Sequence, residues 1–248
     1  FDDYVFTYAW SALNDTLDFV ITTTTPIVTC TQYLATIQLG QDLYAFSAPK
    51  GAFATVQQGN WNVSSNYSVA LADDGNGATM GYSALRNQWV AGPSGSFGQM
   101  LTQNGIVLTD AVANQLYGFS ARTGSWGNTA TAAAVDMFVT HGSTYCARAG
   151  NDLYAFNERF ATWSHTTTAS PANLTTKRET VLADYGAEAQ AFCIWTDHWA
   201  TVQLSSAAVS RLVSDDSALV QDSAGMHAFG GSSQVSSLGL YPEWWRFM

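Results

Sequence analysis

One phrase returns along this chain at an almost constant interval. It reads Leu43-Tyr44-Ala45-Phe46-Ser47-Ala48, then Leu116-Tyr117-Gly118-Phe119-Ser120-Ala121, then Leu153-Tyr154-Ala155-Phe156. Weaker versions are Tyr8-Ala9-Trp10-Ser11-Ala12, Gly81-Tyr82-Ser83-Ala84, Ala191-Phe192 and His227-Ala228-Phe229. Aligned on their last aromatic (Trp10, Phe46, Tyr82, Phe119, Phe156, Phe192, Phe229), the copies are 36, 36, 37, 37, 36 and 37 residues apart. A second anchor follows seven residues after each: Leu17, Phe53, Trp89, Trp126, Trp163 and Trp199, with the polar Ser236 as the exception. Periods of this length signify a fold built from repeated supersecondary units, so the repeat outranks every local reading.

Each copy is punctuated for short strands. Ala121-Arg122-Thr123-Gly124-Ser125 and Pro49-Lys50-Gly51 separate the two anchors and suit tight hairpins. Before the phrase come β-rich runs such as Val69–Asp73, Ile106–Asp110 and Thr180–Asp184, and earlier still Gln99–Thr102 and Met137–Thr140. No long stretch has the 3.6-residue period of an amphipathic helix. Four short antiparallel strands per copy predict an all-β chain, a seven-bladed β-propeller with about 36 residues per blade. One domain spanning 1–248 is expected. Strand material after Phe229 and the near-absence of it before Tyr8 predict a ring closed by N- and C-terminal strands sharing one blade.

The Tyr-Ala-Phe-Ser-Ala-x-x-Gly-x-Trp phrase resembles the kelch repeat, in which a Tyr and a following Trp pack between blades. It is also similar to the quinoprotein-type repeat, most closely at Thr123-Gly124 and Trp126. The kelch double glycine is absent from every copy, and the cofactor motifs of quinoprotein dehydrogenases do not occur. The resemblance therefore implies architecture and carries over no catalytic residue.

Composition narrows the partners. Charged residues are 11% of the chain, against roughly 25% in an average domain. Nine basic against nineteen acidic residues give a formal charge of −10. Nucleic acid, which is bound through clustered Lys and Arg, and anionic membranes are disfavoured. The 47% hydrophobic content supplies a core and argues against disorder. Cys30, Cys146 and Cys193 fit no metal-ligand spacing and allow at most one disulfide; buried single thiols are the simpler reading. Glycosylation sequons at Asn14, Asn62, Asn66 and Asn173, the acidity and the scarce lysine favour a secreted or periplasmic protein.

Candidate sites follow from the repeat. A propeller gathers its first strands about an axis, where one residue per copy (Cys30, Ser64, Thr102, Thr140, Thr176, Ser214) forms a small hydroxyl or thiol set suited to close packing. The next position diverges: Thr31, Ser65, Gln103, His141, Lys177 and Asp215. His141, Lys177 and Asp215, on consecutive copies, have the chemistry for general acid–base work, or form a solvated rim with an incidental ion pair. Thr31, Ser65 and Gln103 are candidate ligand contacts. Trp61 and Trp195 lie outside the anchors and offer faces on which a sugar ring could stack, whereas Trp244 and Trp245 read as sealing the closing blade beside Phe247. Acids near the strand ends (Asp73, Asp74, Asp110, Asp184, Asp222) read as turn residues accepting backbone N–H groups, or as Ca²⁺ ligands. His227 takes the Tyr slot of its copy and reads as a packing residue. No nucleophile elbow, Walker loop, zinc motif or dinucleotide fingerprint appears, and no cofactor or metal is expected. The expected activity is a monomeric binding module recognising a glycan or other small polar ligand. A hydrolase or lyase at the channel mouth and a scaffold for a protein partner are the alternatives.

Overall fold

The computed structural model describes residues 5–22, 25–230 and 244–247, the last group as backbone only. Among these there is no helix, and so none long and apolar enough to cross a membrane. The strands form seven consecutive sheets. The first is the hairpin of β1 (Val5–Ser11) and β2 (Thr16–Thr22). The second holds β3 (Ile27–Cys30), β4 (Leu34–Leu39), β5 (Asp42–Ser47) and a fourth strand broken into β6 (Ala52–Phe53) and β7 (Gln57–Gln58). The third holds β8 (Asn62–Asn66), β9 (Val69–Asp73), β10 (Thr79–Ser83) and β11 (Gln88–Ala91). The fourth holds β12 (Gly98–Leu101), β13 (Gly105–Asp110), β14 (Gln115–Ser120) and β15 (Ser125–Ala130). The fifth holds β16 (Met137–His141), β17 (Thr144–Ala149), β18 (Asp152–Asn157) and β19 (Thr162–Thr167). The sixth holds β20 (Asn173–Lys177), β21 (Thr180–Tyr185), β22 (Glu188–Cys193) and β23 (His198–Gln203). The seventh holds β24 (Ser210–Val213), β25 (Ser217–Asp222), β26 (Gly225–Gly230) and β27 (Trp244–Phe247).

Two compact units divide the chain: residues up to 110 with 119–126, and 111–118 with 127 onward. Within each, the anchors do what the repeat predicts. In the four-stranded sheets the third strand carries the first aromatic and the fourth brings the second anchor to it; in the first hairpin β1 and β2 take these places. The registers are Trp10↔Leu17, Phe46↔Phe53, Tyr82↔Trp89, Phe156↔Trp163 and Phe192↔Trp199. Ring centroids of the aromatic pairs lie 5.0–5.5 Å apart, in tilted or edge-on contact. Ser236 lies outside the described residues. In the seventh sheet Trp244 stands across from Phe229, so the anchor is displaced by a longer connection rather than lost.

No sheet among the described residues is shared by the two termini, and the closure expectation also falls on residues 1–4 and 231–243, which lie outside them. β27 supplies the fourth strand of the seventh sheet, and β1 pairs with β2 alone. β27 pairs antiparallel with β26 over Trp244–Phe247. The side chains of Trp244 and Trp245 lie outside the described residues.

Between the outer hairpin strands the chain turns through one left-handed residue, five positions after each anchor: Asp15, Gly51, Asn87, Gly124, Ala161 and Asp197, at φ 53 to 67°. That is the geometry of a type I turn closed by an αL residue. Apolar layers lie between neighbouring sheets. Leu34, Ala45, Ala70 and Tyr82 form one such layer in the first unit; Cys146, Ala155, Val181 and Phe192, then Leu182, Ala191, Val220 and Phe229, form two in the second. Burial of each large side chain contributes about 1.5–3 kcal/mol. At the small residue between the aromatics the next sheet comes closest. A Cβ at Gly81 would stand 2.9 Å from the Phe119 ring, and one at Gly118 would overlap Phe156.

Candidate functional site

The proposed acid–base trio falls on three successive turns of the second unit. His141 ends β16 and Lys177 ends β20, both exposed, and Asp215 lies in the turn between β24 and β25. The residue that joins two of them is Arg178. Its backbone N–H donates to His141 Nδ1 at 2.9 Å, and its guanidinium Nη1 pairs with Asp215 Oδ2 at 2.8 Å. With Nδ1 accepting, a neutral His141 carries its proton on Nε2. Thus His141 and Asp215 are each engaged by Arg178, while Lys177, the last residue of β20, is exposed. The ion pair is largely exposed, with side chains 62% and 43% accessible, so it stabilises the fold little.

The first-to-second-strand turns explain why Arg178 replaces Lys177. Three have two loop residues, between Asn66 and Val69, His141 and Thr144, and Lys177 and Thr180. The other three have four, between Cys30 and Ala35, Leu101 and Ile106, and Val213 and Ala218. In four of these turns a carbonyl accepts from the preceding sheet, at its own turn or the strand that leaves it: Tyr33 N–H to Tyr67 O at 3.1 Å, Ser68 N–H to Gln103 O at 3.1 Å, Ser143 N–H to Arg178 O at 3.0 Å, and Thr180 Oγ1 to Asp215 O at 3.0 Å. The equivalent positions are therefore Tyr67, Gln103, Arg178 and Asp215. His141, Lys177 and Ser65 sit one or two residues earlier, because a turn two residues shorter shifts the alignment.

These latches also occupy the predicted ligand contacts. Thr31 Oγ1 donates to Tyr67 O at 2.7 Å, and the Gln103 carbonyl accepts from Ser68. Ser65 Oγ is buried with no partner among the described residues. Thr140 Oγ1 and Thr176 Oγ1 close their own hairpins on Thr144 O and Thr180 O at 2.9 and 2.8 Å, a structural use of the small-hydroxyl set. Trp195 is engaged within the fold: the Arg159 guanidinium sits 3.9 Å from its ring centroid, and its Nε1 donates to Glu179. Trp61 packs beside Gly59, its Nε1 buried without a partner among the described residues and its carbonyl accepting from Gln38 at 2.5 Å.

Sequence reasoning passed over the serine that follows the anchor. Ser11 Oγ donates to Ala48 O, Ser47 Oγ to Ala84 O and Ser83 Oγ to Ala121 O, at 2.5, 2.5 and 2.6 Å; Asn157 Nδ2 donates to Ile194 O at 2.9 Å. Each is a staple from one sheet to the next, 37 or 38 residues along the chain. The recurrence of Phe-Ser-Ala was the available signal.

Among the described residues no group of three His, Cys, Asp or Glu side chains could hold a metal. Of the acids near the strand ends, Asp73, Asp74 and Asp222 serve turns, whereas Asp184, within β21, pairs with the Arg211 guanidinium through both carboxylate oxygens. Asp74 Oδ1 accepts from Asn76 and Ala78 N–H, both at 2.8 Å, and buried Asp222 accepts from Ser205, Ala224 and Gly225 N–H and lies 3.3 Å from His227 Nε2. The Ser205 N–H leads the interactions that hold the Asp222 carboxyl well below the usual carboxylate range. Burial pushes the Cys193 thiol up to about 11 and raises that of Cys146 as well; all three cysteines are free, with Cys30 exposed.

Two grooves lie within the first unit. One, of about 630 Å³, is polar and runs between the β9–β10 and β11–β12 connections, lined by Asp73, Asn76, Ser94, Ser96, Phe97 and Gln99. The other, of about 570 Å³, lies between β1 and the second sheet, and no charged residue lines it. Beside it the first hairpin exposes Phe6, Tyr8, Trp10, Leu17, Phe19 and Ile21, each 47–63% accessible. Strand alternation and the cross-strand register put all six on one face.

No family model and no curated protein matches the chain. Solved structures that it resembles include Hsv2 of Kluyveromyces lactis (8% identity, 91% of this chain and 98% of that chain, TM-score 0.34). The WD40 domain of Pan2 from Neurospora crassa (9%, 89% and 79%, 0.33) and the computationally designed Ika8 protein (9%, 89% and 78%, 0.34) are others. Likeness of this degree says nothing of activity or partners. The sheets themselves give the class: seven consecutive antiparallel blades at a 36- or 37-residue period define a β-propeller protein.

Proposed function

We propose that the chain is a binding module for a polypeptide partner, docked on the β1–β2 hairpin and the apolar groove beside it. One observation carries the reading. Trp10, the anchor of the first copy, is 61% accessible, whereas Phe46, Tyr82, Phe119, Phe156, Phe192 and Phe229 are at most 3% accessible. A contiguous exposed apolar face of this kind marks an interaction surface. Selection of binders from a random peptide library tests it: peptides are expected to bind and to lose affinity at least tenfold against Tyr8→Asp or Leu17→Asp. A library that yields no binder sensitive to these changes would overturn the reading.

A second reading, recognition of a glycan or small polar ligand, is supported by the polar groove at Asp73, Asn76 and Gln99, which combines amide, carboxylate and aromatic groups. Saccharide binding that is lost in Asn76→Ala would support it; a glycan array without hits would remove it. Secretion is proposed with it, since Asn14, Asn62, Asn66 and Asn173 are all exposed. The hydrolase or lyase alternative has less support, because Arg178 already engages His141 and Asp215.

A further inference from the structure

We infer that the polar groove of the first unit binds an organic cation through its ammonium or guanidinium group. The inference rests on the second reading above, in which this groove takes a small polar ligand, and it names the ligand's charge. The walls belong to two four-stranded sheets, the third and the fourth, at the β9–β10 turn and the β11–β12 connection. The volume of about 630 Å³ falls within the range of small-molecule sites, about 300–1,000 Å³. The two connections are tied to each other: Gly95 N–H donates to Gly77 O at 2.8 Å, and Thr79 Oγ1 donates to Pro93 O at 2.6 Å. The groove is therefore formed by the fold itself and held by hydrogen bonds.

Among the described residues Asp73 is the one charged side chain in the lining. Its Oδ1 accepts the Gly75 N–H and its Oδ2 accepts from Gln99 Nε2, both at 2.7 Å. A carboxylate offers about four lone-pair directions, so each oxygen keeps one for a ligand. The neutral groups beside it direct donors into the protein: Asn76 Nδ2 to Asp74 O at 3.2 Å, Gln99 Nε2 to Asp73, and Thr79 Oγ1 to Pro93 O. Asn76 Oδ1 and Gln99 Oε1 remain as acceptors. Each amide keeps one further N–H, but the formal charge is negative and no lining residue offsets it.

The charges of the second, third and fourth sheets are sorted by strand end. Their four acids, Asp42, Asp73, Asp74 and Asp110, stand at second-to-third-strand turns; their three bases, Lys50, Arg86 and Arg122, stand at third-to-fourth-strand turns. The groove lies at the acidic end. The length of β10, roughly 15 Å at about 3.3 Å per residue, separates it from the Arg86 turn and exceeds the screening length of about 8 Å at physiological salt. A neutral sugar seated here would desolvate the Asp73 carboxylate without offsetting its charge, which is costly. An ammonium or guanidinium group gives it charge-assisted hydrogen bonds, roughly twice as strong as neutral ones. A bare divalent ion fits poorly, since it needs several charged oxygens at one point. Asp74 Oδ1 is taken by the Asn76 and Ala78 N–H groups.

The probes are methylammonium and methylguanidinium chloride, each titrated against the whole chain with backbone amide chemical shifts as the readout. Saturable shifts are expected with at least one of them at Gly75–Thr79 and Ser94–Gln99, weakening as sodium chloride is raised. Methylurea, the neutral counterpart of methylguanidinium, should bind at least tenfold more weakly than the better cation, a comparison that needs no protein variant. Asp73→Asn, with its circular dichroism checked, should weaken the cation at least tenfold. A blocked Gly-Arg-Gly or Gly-Lys-Gly peptide that binds at least tenfold more tightly than the free cations assigns the group to a polypeptide side chain; equal or weaker binding assigns it to a free small molecule. Methylurea binding as tightly as the cations overturns the inference. So does a methyl glucoside that shifts these amides where neither cation does, which leaves the polar-ligand reading intact. Calcium chloride shifting them where neither organic cation does also overturns it, in favour of a metal ion. No shift with either cation, with the glucoside or with calcium, and no hit on a glycan array, overturns both readings.

Discussion

Ser83 Oγ donates to the carbonyl of Ala121 in the next blade at 2.6 Å, and the same oxygen accepts the Arg86 N–H of its own hairpin at 3.0 Å. One hydroxyl thus closes a turn and ties two repeats. Ser83 is fully buried. Ser83→Ala leaves the Ala121 carbonyl and the Arg86 N–H without this partner, and removing one side of a buried hydrogen bond costs about 1–3 kcal/mol. Urea unfolding should show a lower midpoint at unchanged slope; a midpoint equal to the parent would contradict the staple.

Gly118 marks the closest approach between blades. Its conformation is ordinary strand, so the constraint is space: an added Cβ runs into the Phe156 ring. Gly118→Ala should cost about 1–3 kcal/mol by overpacking. Adding Phe156→Leu should give a double variant less destabilised than the sum of the two singles, since the residues touch. Strict additivity would show that they do not meet.

Ala161 holds the left-handed turn position at φ 58°, where the equivalent residues are Gly, Asn or Asp. An alanine there is strained by about 1 kcal/mol. Ala161→Gly should raise the thermal midpoint by a few degrees, offset slightly by the unfolded-state entropy of glycine. A lower midpoint would show that packing of the methyl outweighs the strain.

Asp222 supplies the pH dependence. Its folded pKa lies below the unfolded value of about 3.9, so between the two the unfolded chain binds more protons and stability rises with pH. The contribution is complete well above pH 4 and is lost as pH falls below it. Asp222→Asn should flatten the acid limb of a stability–pH curve; an unchanged limb would assign it to other carboxylates.

Much of the fold is legible in the sequence because the repeat writes each blade's closest contacts into one phrase. The aromatic pair, the small residue between the aromatics and the left-handed position five residues on all recur at one spacing. What was not legible depends on loop length. Trp244 stands across from Phe229 although fifteen residues separate them, so an anchor sought at seven residues falls on Ser236. In the same way, turns of two or four residues shift the alignment, so that Arg178 rather than Lys177 shares the latch position with Gln103 and Asp215. Hydrogen bonds between blades, such as those of Ser47 and Ser83, leave no hydrophobic period to detect.

The exposure of the first hairpin is most directly measured at Trp10. Acrylamide quenching of tryptophan emission, compared between the parent and Trp10→Phe, isolates this ring from the other eight. A readily quenched, red-shifted component present in the parent and absent from the variant is the predicted result. A Trp10 contribution that is blue-shifted and resists quenching would mean that the face and groove are covered in the free chain, and would contradict their assignment as a docking surface.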